Sequence, residues 1–170
     1  MTTQNPAFTA YTLASCVLIL NQLVLWMMSG GVRGKSKTAV NPEDLLSIAK
    51  GSSLVDSGGE PPEVARVMRV HANGQANILP FLFLGALFVQ VGGSGGEAQL
   101  LFGVFTISRV LYSIVYMAGK QPWRTIMFFV GLATTLAVMV EVPVHPDTKV
   151  NAPVAATIVL PAAKLVASRL

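Results

Sequence analysis

The sequence predicts an all-α integral membrane protein, built as a bundle of four membrane-spanning helices. The 170 residues are 52% hydrophobic and only 12% charged, and their mean hydropathy is +0.60, which is not typical of a soluble domain. The charged residues are clustered, so that four long apolar segments remain. Because a hydrocarbon core of roughly 30 Å requires about 20 helical residues, we expect spans near residues 8–30, 70–92, 98–119 and 123–141.

The four predicted spans differ in character. The first has no charged residue before Arg33; it lacks a basic leader and is too long for the core of a cleaved signal, so we expect it to be retained. The second has no charge from Val70 to Gly96. The third contains a single charge, Arg109. The fourth is short and would suit a thin or locally compressed bilayer.

The distribution of basic residues predicts the orientation of the spans. Lys and Arg favour cytoplasmic connections, and here they occur between spans one and two and between spans three and four. Both basic connections are therefore predicted to be cytoplasmic, with both termini on the other side. This topology accounts for the net charge of +4 without a nucleic-acid partner. The basic residues are Arg33, Lys35, Lys37, Lys50, Arg66 and Arg69 in the first connection, and Lys120 and Arg124 in the second.

Two segments lie outside the predicted spans. Residues 31–65 form a cytoplasmic loop in which Asn41 and Pro42 mark the start of a short helix, and the Gly-, Pro- and Ser-rich remainder is predicted to be flexible. The predicted membrane domain, residues 1–141, is followed by a C-terminal extension, residues 142–170. Pro161 and Lys164 argue against a fifth span, so we expect an interfacial helix or a segment that docks onto a larger membrane complex.

The residue inventory excludes several kinds of site. Cys16 is the only cysteine, so the chain cannot form an internal disulfide. His71 and His145 have no ligand spacing around them, and we predict no metal site. The glycine-rich residues 92–96 lack the Lys and Ser/Thr of a phosphate-binding loop, so we interpret them as a tight turn between spans two and three.

A polar stripe leads into the second span. At about 100° per residue, Arg66, Arg69, Asn73 and Asn77 fall within about 80° of one another on a helix. Polar groups at membrane depth need partners, so we expect this stripe to face the interior of the bundle or a wet cavity.

Polar residues of the other spans are predicted to line the same space. Arg109, Tyr112 and Tyr116 share one face of the third span through their i, i+3, i+7 spacing. Arg124 opens the fourth span at the cytoplasmic boundary. With Arg33 after the first span, every span contributes a cation near the same side, and this arrangement predicts an anion-binding pocket.

Each of these residues also has a plainer interpretation. Boundary arginines commonly extend to lipid headgroups and enforce topology, and tyrosines at helical spacing are more often packing residues. Asn73 and Asn77 could form hydrogen bonds between helices. Arg109, near the middle of its span, must be paired inside the protein, either in a functional site or in a buried structural interaction.

Three stretches of the chain carry a more specific pattern: GGVRGKSKTAVNPEDLL, ARVMRVHANGQANILPFLFLG and SRVLYSIVYMAGKQPWRTI. Together they resemble the MAPEG family, the membrane-associated proteins of eicosanoid and glutathione metabolism, over about residues 25–135. The resemblance implies a left-handed four-helix bundle assembled as a homotrimer, with active sites between neighbouring subunits. It also implies glutathione bound at the cytoplasmic side, its thiolate stabilised by an arginine at the start of span four.

Carried onto this sequence, the resemblance implies a set of site residues. The thiolate-stabilising arginine falls on Arg124, followed by Thr125, and the acid of the NPED motif falls on Asp44; these are the implied catalytic residues. The implied glutathione-binding residues are Arg33, Arg69, Asn73, Arg109, Tyr112 and Tyr116.

The sequence departs from the family pattern at four positions. Ala72 and Ala76 stand where a basic or polar residue and a glutamate are expected, Tyr112 replaces a histidine, and Phe128 replaces a tyrosine. The glutamate would meet the ammonium of the ligand. Losing several charge-assisted contacts of about 1.5–3 kcal/mol each would weaken glutathione binding by orders of magnitude, and the two alanines favour close helix packing instead.

The sequence is therefore compatible with two functions. The first is a glutathione-dependent transferase, peroxidase or isomerase that acts on lipophilic electrophiles. The second is a protein that keeps the fold without the ligand, as a structural or accessory subunit of a membrane assembly or as a lipid-binding protein.

Overall fold

The computed structural model describes residues 5–55 and 59–144, which form four long helices and a small extramembrane layer. In chain order the elements are α1 (Pro6–Ser36), β1 (Thr38–Ala39), α2 (Pro42–Leu46), β2 (Ser53–Leu54), α3 (Pro62–Gln90), α4 (Gly95–Met117) and α5 (Trp123–Val144). Helices α1, α3, α4 and α5 are each long and apolar enough to cross a membrane, which confirms the four predicted spans. The chain from residue 145 onward, where most of the predicted C-terminal extension falls, lies outside the described residues.

The helices begin and end at different residues from the predicted spans. The spans predicted near 8–30 and 70–92 exclude the charged residues that flank them, Arg33 and Arg69. The helices include these residues, since α1 continues to Ser36 and α3 begins at Pro62. A helix can continue beyond the hydrocarbon layer, and Arg33 and Lys35 in the last turn of α1 interact favourably with the helix dipole. The predicted boundary at residue 141 lies inside α5.

Both ends of α1 have clear capping interactions. At the start, the Asn5 side chain accepts a hydrogen bond from the Ala7 N–H at 3.0 Å, and Pro6 occupies the first helical position, where its missing N–H costs nothing. At the end, Lys37 adopts a left-handed conformation with φ of 50°, and its N–H reaches the carbonyls of Arg33 and Gly34. The sharp turn at Lys37 directs the chain into the extramembrane layer.

In its described residues 37–55 and 59–61, the extramembrane layer between α1 and α3 contains two short paired strands, which the prediction of a flexible loop around the short helix did not include. The strands β1 and β2 pair in parallel, with hydrogen bonds from Ser53 N–H to Lys37 O at 3.0 Å and from Val55 N–H to Ala39 O at 2.8 Å. Between them lies α2, the short helix predicted at PEDLL. Main-chain hydrogen bonds therefore give regular structure to a segment whose composition predicts an irregular loop.

The bundle packs α1 against α3 and α4, and α5 against α4 and α3. Its apolar core lies at the end away from β1 and β2, where Phe81 stacks on Phe105 and Phe102 meets the edges of Phe81 and Phe88. These four rings are fully buried. Tyr11 joins the cluster and donates a hydrogen bond to Leu82 O at 3.2 Å. This end of the bundle is filled, so the polar residues are concentrated at the other end.

Two short turns complete the bundle. Between α3 and α4 the chain reverses at Gly92, with φ of 85°, and Ser94 caps α4 by accepting from the Glu97 N–H at 3.2 Å; the predicted tight turn is confirmed. Between α4 and α5, Gly119 has φ of 68° and the Gln121–Pro122 peptide bond is cis. This second turn brings Arg124 to the start of α5.

Candidate functional site

The candidate site lies at the end of the bundle where α1 and α4 end and α3 and α5 begin. Each helix carries an arginine within or near this end, as the sequence predicted. The arginines differ in their hydrogen-bond, ion-pair and ring contacts. These contacts determine which guanidinium groups still have donors for a ligand.

Arg124 lies in the first turn of α5 and is partly exposed. Its guanidinium carbon lies 4.7 Å from the centre of the Tyr116 ring, which is a cation–π distance. With the Gln121 amide turned to satisfy both neighbours, its oxygen accepts from Arg124 Nη2 at 2.5 Å and Nε at 3.0 Å, and its nitrogen donates to Thr125 Oγ1 at 3.1 Å. Gln121 therefore orients both implied catalytic residues of α5.

Arg109 is the opposite case, because its side chain is almost wholly buried between α4 and α5. Only 2% of the residue is exposed. Its Nη2 donates to Met127 O at 2.6 Å and to Phe128 O at 3.2 Å, and the guanidinium carbon lies 5.0 Å from the Tyr112 ring centre. Its Nε and Nη1 are buried without a hydrogen-bond partner among the described residues.

A glycine makes this burial possible. A Cβ atom on Gly131 would lie 2.4 Å from Arg109 Nη2 and 2.6 Å from its Nε, so any larger residue would displace the guanidinium. Arg109 was predicted to face the polar stripe of α3. It instead turns toward α5, where the carbonyls of Met127 and Phe128 accept its hydrogen bonds.

Two tyrosines connect the two arginines. Tyr112, 6% exposed, meets the edge of Tyr116 with ring centres 5.5 Å apart and also contacts the ring of Phe128 at 6.4 Å. Because Arg109 lies over Tyr112 and Arg124 over Tyr116, the two tyrosine rings form a continuous row between the two guanidinium groups. The structure thus brings together Arg109, Tyr112, Tyr116, Arg124 and Thr125 of the predicted site.

The polar stripe of α3 forms as predicted, but it lies at the edge of the buried face. Arg66 and Arg69 are exposed, and Arg66 Nη1 donates to Met117 O at 3.4 Å. Asn73 and Asn77 are half-buried, and Asn77 Nδ2 donates to Asn73 O at 2.8 Å. The asparagines pair along their own helix, and among the described residues of one chain no hydrogen bond joins their side chains to another helix.

Arg33 and Asp44 form a separate group beside the extramembrane layer. Arg33 is ion-paired with Glu60, and Ser36 donates to Glu63 Oε1 at 2.7 Å, so two contacts join the end of α1 to the start of α3. Arg33 and Asp44 line a cavity of about 720 Å³, whose wall includes neither Arg109 nor Arg124. Within one chain, then, Asp44 does not lie with Arg124 and Thr125.

Sequence reasoning missed two residues that shape the site. Glu60 neutralises Arg33 and has a second carboxylate oxygen, Oε2, that is buried without a partner among the described residues. Gln121 orients Arg124 and Thr125. No sequence pattern marked Glu60, an acid in a Gly- and Pro-rich connection. Gln121 could have been found, because it precedes Arg124 by three residues and Thr125 by four, the spacing at which helical side chains meet.

Four apolar spans with a cationic site at one end define the chain as a multi-pass integral membrane protein. It belongs to the MAPEG family, whose model matches residues 11–142. The prostaglandin E synthase of Homo sapiens is 33% identical over 125 residues, covering 73% of this chain and 80% of the relative. Microsomal glutathione S-transferase 1 of Rattus norvegicus is 31% identical over 134 residues, covering 78% of this chain and 86% of the relative. The family resemblance expected from the sequence is confirmed.

Proposed function

We propose that the protein is a glutathione-dependent membrane enzyme, a transferase, peroxidase or isomerase that acts on lipophilic electrophiles. The observation that carries this proposal is the setting of Arg124. Its guanidinium is held over Tyr116 by stacking and by Gln121 and is still partly open. Family membership supports glutathione as the thiol, since one group of relatives is named for glutathione transfer.

The proposed chemistry needs a thiolate, because the thiol itself is a poor nucleophile. A free cysteine thiol has a pKa of about 8.5, and a neighbouring cation in a desolvated site lowers it. A guanidinium has five N–H donors, of which Gln121 occupies two, so Arg124 retains donors for a sulfur anion. Thr125 Oγ1 accepts from the nitrogen of the same Gln121 amide, so its own O–H would supply a further hydrogen bond. The electrophile would enter from the surrounding bilayer.

The remaining charges of glutathione need partners, and the chain offers them in part. Arg69 and Asn73 are at least partly exposed and suit a carboxylate. For the ammonium, α3 has Ala72 and Ala76 in place of an acid, but the segment between α1 and α3 contains Asp44 and Glu60. Glu60 Oε2 has no hydrogen-bond partner among the described residues. We therefore propose that Glu60 or Asp44 replaces the missing glutamate, in a homotrimer whose subunits share each site.

Other observations favour a second candidate, a non-catalytic subunit of a larger membrane assembly or a lipid-binding protein. Arg33 and Arg109 already have partners inside the chain, so two of the cations implied for the ligand are engaged. Ala72 and Ala76 are both exposed on α3, where a small-xxx-small pair promotes helix association. In this case the site would be retained for packing alone.

The two candidates are separated by calorimetric titration of glutathione into the detergent-purified protein, together with turnover of an activated aryl halide and a lipid hydroperoxide. We expect Arg124→Ala to lower turnover at least about 100-fold, the usual cost of removing a donor that stabilises a developing anion. Lys120→Ala is the matched control, because Lys120 lies in the turn just before α5 and is exposed; it should leave turnover unchanged. Absence of glutathione binding in the unmodified protein would overturn the proposal in favour of the second candidate.

A further inference from the structure

The extramembrane layer presents two unusually exposed apolar side chains. Leu46, at the end of α2, is 81% exposed and Ile48 is 88% exposed, more than any other large apolar side chain in the described part of the chain. The other strongly exposed apolar residues lie mostly on the spanning helices, where lipid covers them. Leu46 and Ile48 belong to no span, so their exposure needs another explanation.

The fold brings Ile48 back to a cavity beside the end of α1. The cavity of about 720 Å³ is lined on one side by Gly30, Arg33 and Gly34 of α1 with Lys37 just after it, and on the other by residues that include Ile48 and Lys50. Ile48 therefore shares this cavity with Gly30, which lies about one turn beyond Trp26 on α1. Trp26 is 63% exposed, and tryptophans on spanning helices mark the boundary between hydrocarbon and headgroups.

The charges around the cavity favour an anionic surface. Lys37 and Lys50 line it, and within residues 5–55 and 59–144 neither forms an ion pair. Arg33 is neutralised by Glu60, which leaves Asp44 as the acid in the wall against two lysines. The positive-inside rule assigns this connection to the cytoplasmic leaflet, whose lipids carry the negative surface charge of the membrane.

We propose that the extramembrane layer is a lipid-binding element, in which Leu46 and Ile48 enter the headgroup layer and Lys37 and Lys50 bind an anionic phospholipid headgroup. An amphipathic surface of this kind gains from apolar burial and from attraction to anionic lipid together. A second copy is the less suitable occupant, because it would carry the same basic loop and the same net charge of +4. Arg33 and Asp44 line the same cavity, but none of the four lipid-binding residues belongs to the proposed thiolate site at Arg124 and Thr125, so the lipid test can succeed or fail independently of thiol-dependent turnover.

The test places an environment-sensitive fluorophore at position 48 of the full chain in lipid nanodiscs. Cys16, which is exposed, is first replaced by serine, and Ile48→Cys is then labelled. Ser53→Cys is the matched position, because Ser53 is exposed in β2 of the same layer. We expect nitroxide-labelled lipids to quench the fluorophore at position 48 and not at 53, and quenching to increase when phosphatidylserine replaces phosphatidylcholine.

The lysines are tested in the same labelled chain by titrating a short-chain anionic phospholipid into neutral detergent. Each of Lys37→Gln and Lys50→Gln should weaken binding roughly fivefold, whereas Lys35→Gln, an exposed lysine that does not line the cavity, should have no effect. Inorganic phosphate should not compete, since it lacks the acyl chain. Equal quenching at positions 48 and 53, insensitivity to lipid charge, or shielding of position 48 in detergent without lipid would each overturn the proposal, the last in favour of contact between copies.

Discussion

Arg109 and Arg124 lie on adjacent helices and both stack on aromatic rings, but their guanidinium groups have very different surroundings. Arg109 is enclosed by two backbone carbonyls and by Tyr112, and it occupies the space left by the missing side chain of Gly131. Arg124 has an amide partner and one ring and remains partly open. The two arginines therefore differ in their structural setting: Arg109 joins α4 to α5, whereas the Arg124 guanidinium is only partly covered.

The largest loss of stability is expected from removing the Arg109 side chain. We expect Arg109→Ala to destabilise the protein by about 3 kcal/mol, because it leaves a cavity at the junction of α4 and α5 and removes the hydrogen bonds to Met127 O and Phe128 O. Thermal unfolding in detergent, followed by circular dichroism, measures the loss. Arg109→Met is the control that retains most of the volume, and less than half of the loss should remain. An alanine variant as stable as the parent protein would show that Arg109 is not structural.

A smaller effect is expected from filling the space beside Arg109. Gly131→Ala places a Cβ atom 2.4 Å from Arg109 Nη2, and such overpacking costs typically about 1–3 kcal/mol. Gly103→Ala, at a helical glycine with no atom within 4 Å of the added Cβ, should be neutral or slightly stabilising because alanine has the higher helix propensity. In an Arg109→Ala background the Gly131→Ala penalty should largely disappear. A penalty that stays the same in both backgrounds would place the clash elsewhere.

The contrast between these arginines also shows how far the sequence could predict the site. Charge spacing was sufficient to predict four spans and to place Arg124 at the head of the last one, since both depend on local hydropathy. The partner of Arg109 could not be predicted, because its carbonyl acceptors on α5 are main-chain atoms and every residue has one. The pairing of β1 with β2 was missed for a similar reason: it depends on main-chain hydrogen bonds in a segment whose side chains show no strand periodicity.

The smallest effect on stability is expected from replacing Arg124, the less buried of the two arginines. An exposed cation–π contact is worth about 0.5–1 kcal/mol, and Gln121 is itself exposed, so Arg124→Ala should lower the free energy of unfolding by no more than about 1 kcal/mol. The same detergent unfolding measurement tests it, with Lys120→Ala as the matched exposed variant.

A loss as large as that of Arg109→Ala would mean that Arg124 also holds the bundle together. Lost turnover in Arg124→Ala would then report unfolding instead of chemistry. A small loss of stability together with a large loss of thiol-dependent turnover would separate the two arginines by function, because only a side chain outside the packing of the bundle can be removed at that low cost.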